Sequence, residues 1–188
     1  MGLTATEFLQ SSDHITTGVS NAISQYNPDG IPVAFDLQIE AEALGCKLNW
    51  SDDNPPAVIS HPLLDGVEIE DLKVPAPSDG RIPVVMEAAR ALREKHPDIA
   101  LYGLITGPFT LALHLMGTDV FMRMLEDPDH IHKLMRFATD VALFMSKEYI
   151  DAGCDVVAMV DPMTSQIDPF SFETFVTPYA TEIFDFIR

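Results

Sequence analysis

The sequence predicts an α/β fold: part of a (β/α)8 barrel, with about three to four parallel strands, helical crossovers and a proline-rich lid insertion. Three observations carry this. Short apolar runs alternate with amphipathic helical stretches, and such alternation builds parallel strands joined by right-handed crossovers. The apolar runs end in polar or breaker elements, at Asp36, Thr106-Gly107-Pro108 and Asp161-Pro162, where parallel sheets place their sites. The third is length. The 188 residues make one domain, 1–188, but fall short of the roughly 250 that eight β/α units need.

Asp13 is placed to cap a helix in which Ile15, Val19, Ala22, Ile23 and Tyr26 recur at helical spacing. Asn27-Pro28-Asp29-Gly30 ends it with turn chemistry. Ile31 to Phe35 then reads as a buried parallel strand. Gln38 to Leu44 is rich in helix formers, with Gly45 just past its end. Cys46 to Trp50 reads as a short extra strand.

The insertion, 51–81, differs in texture: it holds five prolines, scattered acids and little periodicity. Val58, Ile59, Leu63, Leu64, Val67, Ile69 and Leu72 demand burial, which favours an ordered lid over disorder. Pro83 fits the first turn of a helix reaching about His96. Ile99 to Ile105 is the next strand, followed by short helices at Phe109 to Met116 and Thr118 to Leu125. Asp127-Pro128 is a strong start signal for a long helix that stops near Ala152-Gly153. Asp155 to Val160 is the third strand, and Ser171 to Arg188 the last amphipathic helix.

Acidic residues number 29 against 11 basic ones, for a net charge of −18. A nucleic-acid binder needs a basic footprint, and an anionic membrane surface needs a cationic run; the sequence offers neither. Cys46 and Cys154 are far apart and in no paired motif, which fits a reducing, cytoplasmic setting. The N-terminal ten residues lack the pattern of a signal peptide, and no apolar stretch is long enough to span a bilayer.

Chemistry is expected at the strand ends. An aspartate there can serve as general acid or base, or hold a ligand's N–H groups. For Asp36 this role stands about level with simply capping the next helix, whereas the proline and loop after Asp161 make capping of the following helix less apt. Gly107-Pro108-Phe109-Thr110 opens a helix directly after a strand, so a carboxylate or phosphate could dock there, although a tight turn is the simpler reading. His114 lies two turns further on. His130 and His132 diverge on one helix and cannot chelate together. Met116, Met122, Met124, Met135 and Met145 sit at helical spacings and read as core fillers.

Taken in order, several motifs resemble the uroporphyrinogen decarboxylase superfamily: Pro32-Val33-Ala34-Phe35-Asp36 with Ala41-Glu42-Ala43-Leu44-Gly45-Cys46, Gly107-Pro108-Phe109-Thr110-Leu111-Ala112, Asp127-Pro128, Ala152-Gly153-Cys154-Asp155, Asp161-Pro162, and Phe175-Val176 with Pro178-Tyr179. The resemblance runs from about Asp13 to Arg188 and implies a (β/α)8 barrel with its site at the C-terminal strand ends. One branch decarboxylates uroporphyrinogen without a cofactor. The other resembles methylcobamide:coenzyme M methyltransferases, which pass a methyl group from a corrinoid to a zinc-activated thiol.

The resemblance implies catalytic roles for Asp36, Asp161 and His114, with Phe35, Gly107, Phe109, Thr110 and Met163 as substrate-binding residues. Asp36 matches the aspartate that holds pyrrole N–H groups in the decarboxylases, whereas His114 stands where they carry tyrosine. That departure, together with arginines (Arg90, Arg93, Arg123, Arg136) on helices rather than strand ends, leans toward the methyltransferase branch. No metal ligand or cofactor is expected within this chain. Zinc is expected in a full-length methyltransferase-like protein, whose ligands lie in the family's C-terminal half. Expected partners are a small-molecule, tetrapyrrole or corrinoid substrate, a corrinoid protein, and a second copy or complementing chain, with no nucleic acid and no membrane. The competing readings are a decarboxylase of porphyrin biosynthesis and a non-catalytic half-barrel that assembles through its sheet edge. The chain alone is expected to be inactive.

Overall fold

The computed structural model describes residues 2–188. Two short helices open it, α1 (Ala5–Leu9) and α2 (Ser12–Tyr26). Thr4 and Glu7 cap α1 reciprocally, side chain to backbone in both directions. Ser11, not Asp13, caps α2, its hydroxyl accepting the His14 N–H at 3.3 Å. The expected cap was two residues late; Asp13 lies in the first turn, where its charge suits the helix dipole.

The sheet begins with β1 (Gly30–Pro32). Pairing continues one residue further, because the Val33 N–H donates to the Tyr102 carbonyl at 3.0 Å. The chain then leaves the sheet, short of the expected end at Phe35. Helix α3 (Ile39–Ala43) follows, and then an antiparallel hairpin of β2 (Leu48–Asn49) and β3 (Ala57–Val58). The segment 46–50 therefore does not supply a fourth parallel strand. Its partner comes from the proline-rich insertion, too short and too proline-bound to signal itself by periodicity.

The rest of the insertion runs over the surface with a single 3-10 turn, Ile69–Asp71, before α4 (Ile82–Lys95). Its apolar residues are only partly buried: Ile69 is inside, whereas Ile59, Leu64 and Val67 are exposed.

The central strand is β4 (Ala100–Thr106), with Leu101 and Ile105 fully buried. After it come α5 (Pro108–Met116), α6 (Asp119–Glu126) and α7 (Pro128–Asp151), then β5 (Val156–Val160). Strands β1, β4 and β5 form one parallel sheet in the order β1-β4-β5, with Ile31 opposite Leu101 and Leu104 opposite Ala158. Tyr149 of α7 lies against β4 so closely that a Cβ on Gly103 would fall 2.3 Å from its ring. Only glycine admits that approach. Asp127 caps α7 through the His130 N–H, with Pro128 in the first turn, as its sequence predicts.

Beyond β5 a 3-10 turn (Pro162–Gln166) leads to two helices rather than one, α8 (Pro169–Phe175) and α9 (Thr177–Ile187). Pro178 cannot sit in a helix interior, so the chain restarts there with proline in a first turn. Of the expected core methionines, Met116, Met124, Met135 and Met145 are buried, but Met122 is 58% exposed on the outer face of α6.

Candidate functional site

The C-terminal ends of β1, β4 and β5 gather the carboxylates. Asp36 follows β1 with its side chain sealed from solvent. Its Oδ1 accepts the Gln38 N–H at 2.9 Å, and its Oδ2 accepts Arg81 Nη1 at 2.6 Å. Arg81, at the start of α4, also donates through Nε to Glu42 Oε2 at 2.6 Å and lies 4.7 Å over the Trp50 ring. This buried ion pair with a flanking carboxylate and a stacked indole suits a planar guanidinium. Arg81 Nη2 is buried without a partner among the described residues.

Glu40 of α3 reaches the end of β4. Its Oε1 accepts the Thr106 N–H at 2.9 Å and its Oε2 accepts the Thr106 hydroxyl at 2.8 Å. Burial pushes its pKa up to about 7, against those two hydrogen bonds.

Asp161 ends β5 and acts across the sheet. Its Oδ1 accepts the Thr110 N–H at 2.7 Å and the Thr110 hydroxyl at 2.6 Å, while its Oδ2 accepts the Phe109 N–H at 3.1 Å. The anion at the start of α5 is thus the protein's own carboxylate, lodged where free N–H groups and the helix dipole favour it. Asp161 does cap a helix, but not the one that follows it. Burial raises its pKa, opposed by the bonds from Thr110 and Phe109. Gly107 makes room: a Cβ there would lie 2.3 Å from the Cβ of Asp161.

His114 borders a cleft of about 410 Å³ bounded by Gln38, the β2–β3 hairpin, His61, the end of α5, and Met163. Burial, with a smaller contribution from nearby His61, pushes the pKa of His114 down to about 4, so its ring is neutral at pH 7. Its Nδ1 is buried without a partner among the described residues. The His114 carbonyl accepts two bonds, from His61 Nδ1 at 2.9 Å and from the Cys46 thiol at 3.4 Å. Burial pushes Cys46 up to about 12, so it remains a thiol.

The sequence-predicted residues therefore divide. His114 and Met163 share the cleft. Gly107, Phe109 and Thr110 cluster about Asp161, and the Met163 N–H donates to Thr110 Oγ1 at 3.3 Å. Asp36 stands apart with Arg81, connected to the cleft through Gln38. Phe35 is 61% exposed and not among the cleft's walls. Sequence reasoning missed Arg81, Glu40 and His61. Nothing local marks Arg81, whose partner Asp36 lies 45 positions away. Among the described residues no cluster of three or more His, Cys, Asp or Glu could hold a metal ion.

A three-stranded parallel sheet with helical crossovers and its polar groups at the strand ends defines a partial (β/α)8 barrel. A family model described as Uroporphyrinogen decarboxylase (URO-D) matches residues 1–188, and the chain belongs to that family. Methylcobamide:CoM methyltransferase MtbA of Methanosarcina acetivorans is 29% identical over 164 residues, covering 85% of this chain and 48% of the relative. A uroporphyrinogen decarboxylase of Aliarcobacter butzleri is 27% identical over 161 residues, covering 81% and 46%. The solved structure of a methyltransferase from Methanosarcina mazei superposes with a TM-score of 0.92 at 25% identity, covering all of this chain and 57% of the other. The chain thus spans about half the length of the curated relatives it matches.

Proposed function

We propose that this chain is part of a corrinoid-dependent methyltransferase of the uroporphyrinogen decarboxylase family, moving a methyl group from a methylcobamide to a thiol. The observation that carries the reading is the state of Asp36. A decarboxylase would need this carboxylate free to receive pyrrole N–H groups, yet here its oxygens are taken by Arg81 and Gln38 and its side chain is sealed. The arginine that could answer a substrate carboxylate is likewise held by Asp36 and Glu42.

In this reading the cleft beside His114 receives the small substrate. Asp161 and Thr110 hold the start of α5, and through it His114, in place. Neutral His114 can give or accept one hydrogen bond to a bound group without adding charge. Zinc, where bound, would supply thiol activation from residues outside those described here. A corrinoid protein is the proposed partner. A cytoplasmic setting is supported by the two unpaired cysteines; no helix is long and apolar enough to cross a membrane among the described residues.

The test is to supply the protein in its full-length form with methylcobalamin and 2-mercaptoethanol and follow loss of the methyl–cobalt spectrum. Demethylation that requires the protein supports the reading. Conversion of uroporphyrinogen to coproporphyrinogen, with no demethylation, would replace it with the decarboxylase.

A further inference from the structure

We propose that Glu40 is a hydrogen-bond donor in the folded protein. Through Thr106 and the Leu37 carbonyl, its proton latches the loop after β1 to the end of β4. The latch holds two sides of the cleft, Gln38 and α5, in register, and loss of the proton releases it. It is independent of which reaction the cleft serves, and so goes beyond the methyltransferase reading.

Counting protons decides the arrangement. Thr106 Oγ1 lies 2.8 Å from Glu40 Oε2 and 2.9 Å from the Leu37 carbonyl oxygen. A threonine hydroxyl has one proton to donate, whereas a carbonyl and an ionised carboxylate can only accept. As an anion, Glu40 accepts from both Thr106 groups, and the Leu37 carbonyl then faces a hydroxyl oxygen with no proton between them. As a carboxylic acid, Glu40 donates from Oε2 to Thr106 Oγ1, and the Thr106 hydroxyl donates to Leu37. The Thr106 N–H donates to Glu40 Oε1 at 2.9 Å in either state. Only the acid gives every contact its own proton. Leaving a buried acceptor unpaired costs more than a typical hydrogen bond returns.

The surroundings favour the neutral form. Glu40 is 1% exposed. From the loop after β1, the Asp36 charge opposes a second one nearby. Arg81, at the start of α4, is held by Asp36 and Glu42. Tyr149 of α7 stays neutral, its pKa raised by burial, and His114 of α5 is neutral at pH 7. Burial is the largest influence on Glu40 and raises its pKa to about 7. Both ends of the latch reach the cleft. Leu37 adjoins Gln38, a cleft wall whose side-chain amide, oriented to donate, reaches the Pro56 carbonyl beside β3 at 3.3 Å. Thr106 adjoins Gly107, from which α5 starts, and the far end of α5 carries Leu113 and His114 of the same cleft.

The experiment follows the full-length protein by NMR while pH is raised from acid to neutral and beyond. It reads the Glu40 carboxyl carbon, assigned by its loss in Glu40→Gln, and the backbone amides of Gln38 and Thr106. The expected result is that the carboxyl titrates near 7 rather than 4.5, and that the Gln38 amide shifts with the same midpoint. Hydrogen exchange at Gln38, measured relative to Glu40→Gln, should quicken about tenfold per pH unit between those two values and level off above the higher one. Glu40→Gln puts an amide N–H where the acid's O–H stood, so its latch stays closed at every pH. Thr106→Val removes the relay and should uncouple Gln38 from the Glu40 titration, and Thr106→Ser should restore the coupling. The proposal is overturned if Glu40 titrates near 4.5, if the Gln38 amide ignores the titration, or if Thr106→Val leaves the coupling intact. Circular dichroism checks each variant's fold, and if a variant misfolds the parent's two titrations still decide. None of these signals requires methyl transfer, so failure of the cobalt assay leaves the test standing.

Discussion

Glu40 is buried against the end of β4, where the Thr106 N–H and hydroxyl both donate to it, and its pKa lies near 7 instead of 4.5. A carboxyl raised in the folded state holds its proton longer than in the unfolded chain. Its contribution is therefore complete below pH 4.5 and is lost as pH rises through about 7. That shift corresponds to on the order of 3 kcal/mol across the window. His114 acts in the opposite sense. Its pKa falls from 6.5 to about 4, so its contribution is complete above pH 6.5 and is lost as pH drops toward 4. Urea unfolding across pH 4 to 8 should show Glu40→Gln abolishing most of the decline on the alkaline side, and His114→Phe flattening the acid side. The Asp36–Arg81 pair is a different case. Replacing Arg81 by Met leaves Asp36 sealed without its cation, and should cost about 3–5 kcal/mol, read as a lower urea midpoint. An Asp36→Ala variant that loses activity thus needs a stability measurement beside it. Asp36 and Asp161 were legible in the sequence because each stands where an apolar run meets a turn. Their partners were not: Arg81 and Thr110 lie 45 and 51 positions away, and only the closed fold brings them near.

At the scale of elements, α5 depends on a residue outside itself. Asp161 satisfies the first N–H groups of the helix, and Gly107 leaves the space in which its carboxylate sits. Gly107→Ala should destabilise the protein, though its backbone angles suit alanine, because the added methyl meets Asp161. Asp161→Asn should cost less, since the amide oxygen still accepts from Thr110. Thermal melts of the two variants test this order, and a Gly107→Ala protein as stable as the parent would refute it. Helices α4 and α7 were legible because proline at the start and an apolar stripe along one face act locally. The hairpin was not, since two residues per strand are too few to show a period. Nor was the break between α8 and α9, although Pro178 signals it once the helix is asked to continue through that position.

At the scale of the whole molecule, β5 lies at one side of the described sheet, ordered β1-β4-β5. Val156 of β5, Phe170 of α8, and Phe184 and Phe186 of α9 are 42%, 75%, 47% and 47% exposed. Unpaired strand edges and exposed apolar patches are templates for association. Sedimentation velocity should show the chain self-associating with rising concentration, and Val156→Lys should suppress this. A monodisperse monomer at high concentration would count against the edge as the sticky element. The partial barrel was legible from length against strand count, and the comparison structure agrees, matching all of this chain with 57% of its own length. The stitch between Asp161 and α5 has a temporal consequence. A ribosome delivers α5 roughly fifty residues before the carboxylate that closes its start, at about 5–20 residues per second. For some seconds the helix stands with its first amides open, and the wall bearing His114 is set only when β5 and the aspartate after it arrive.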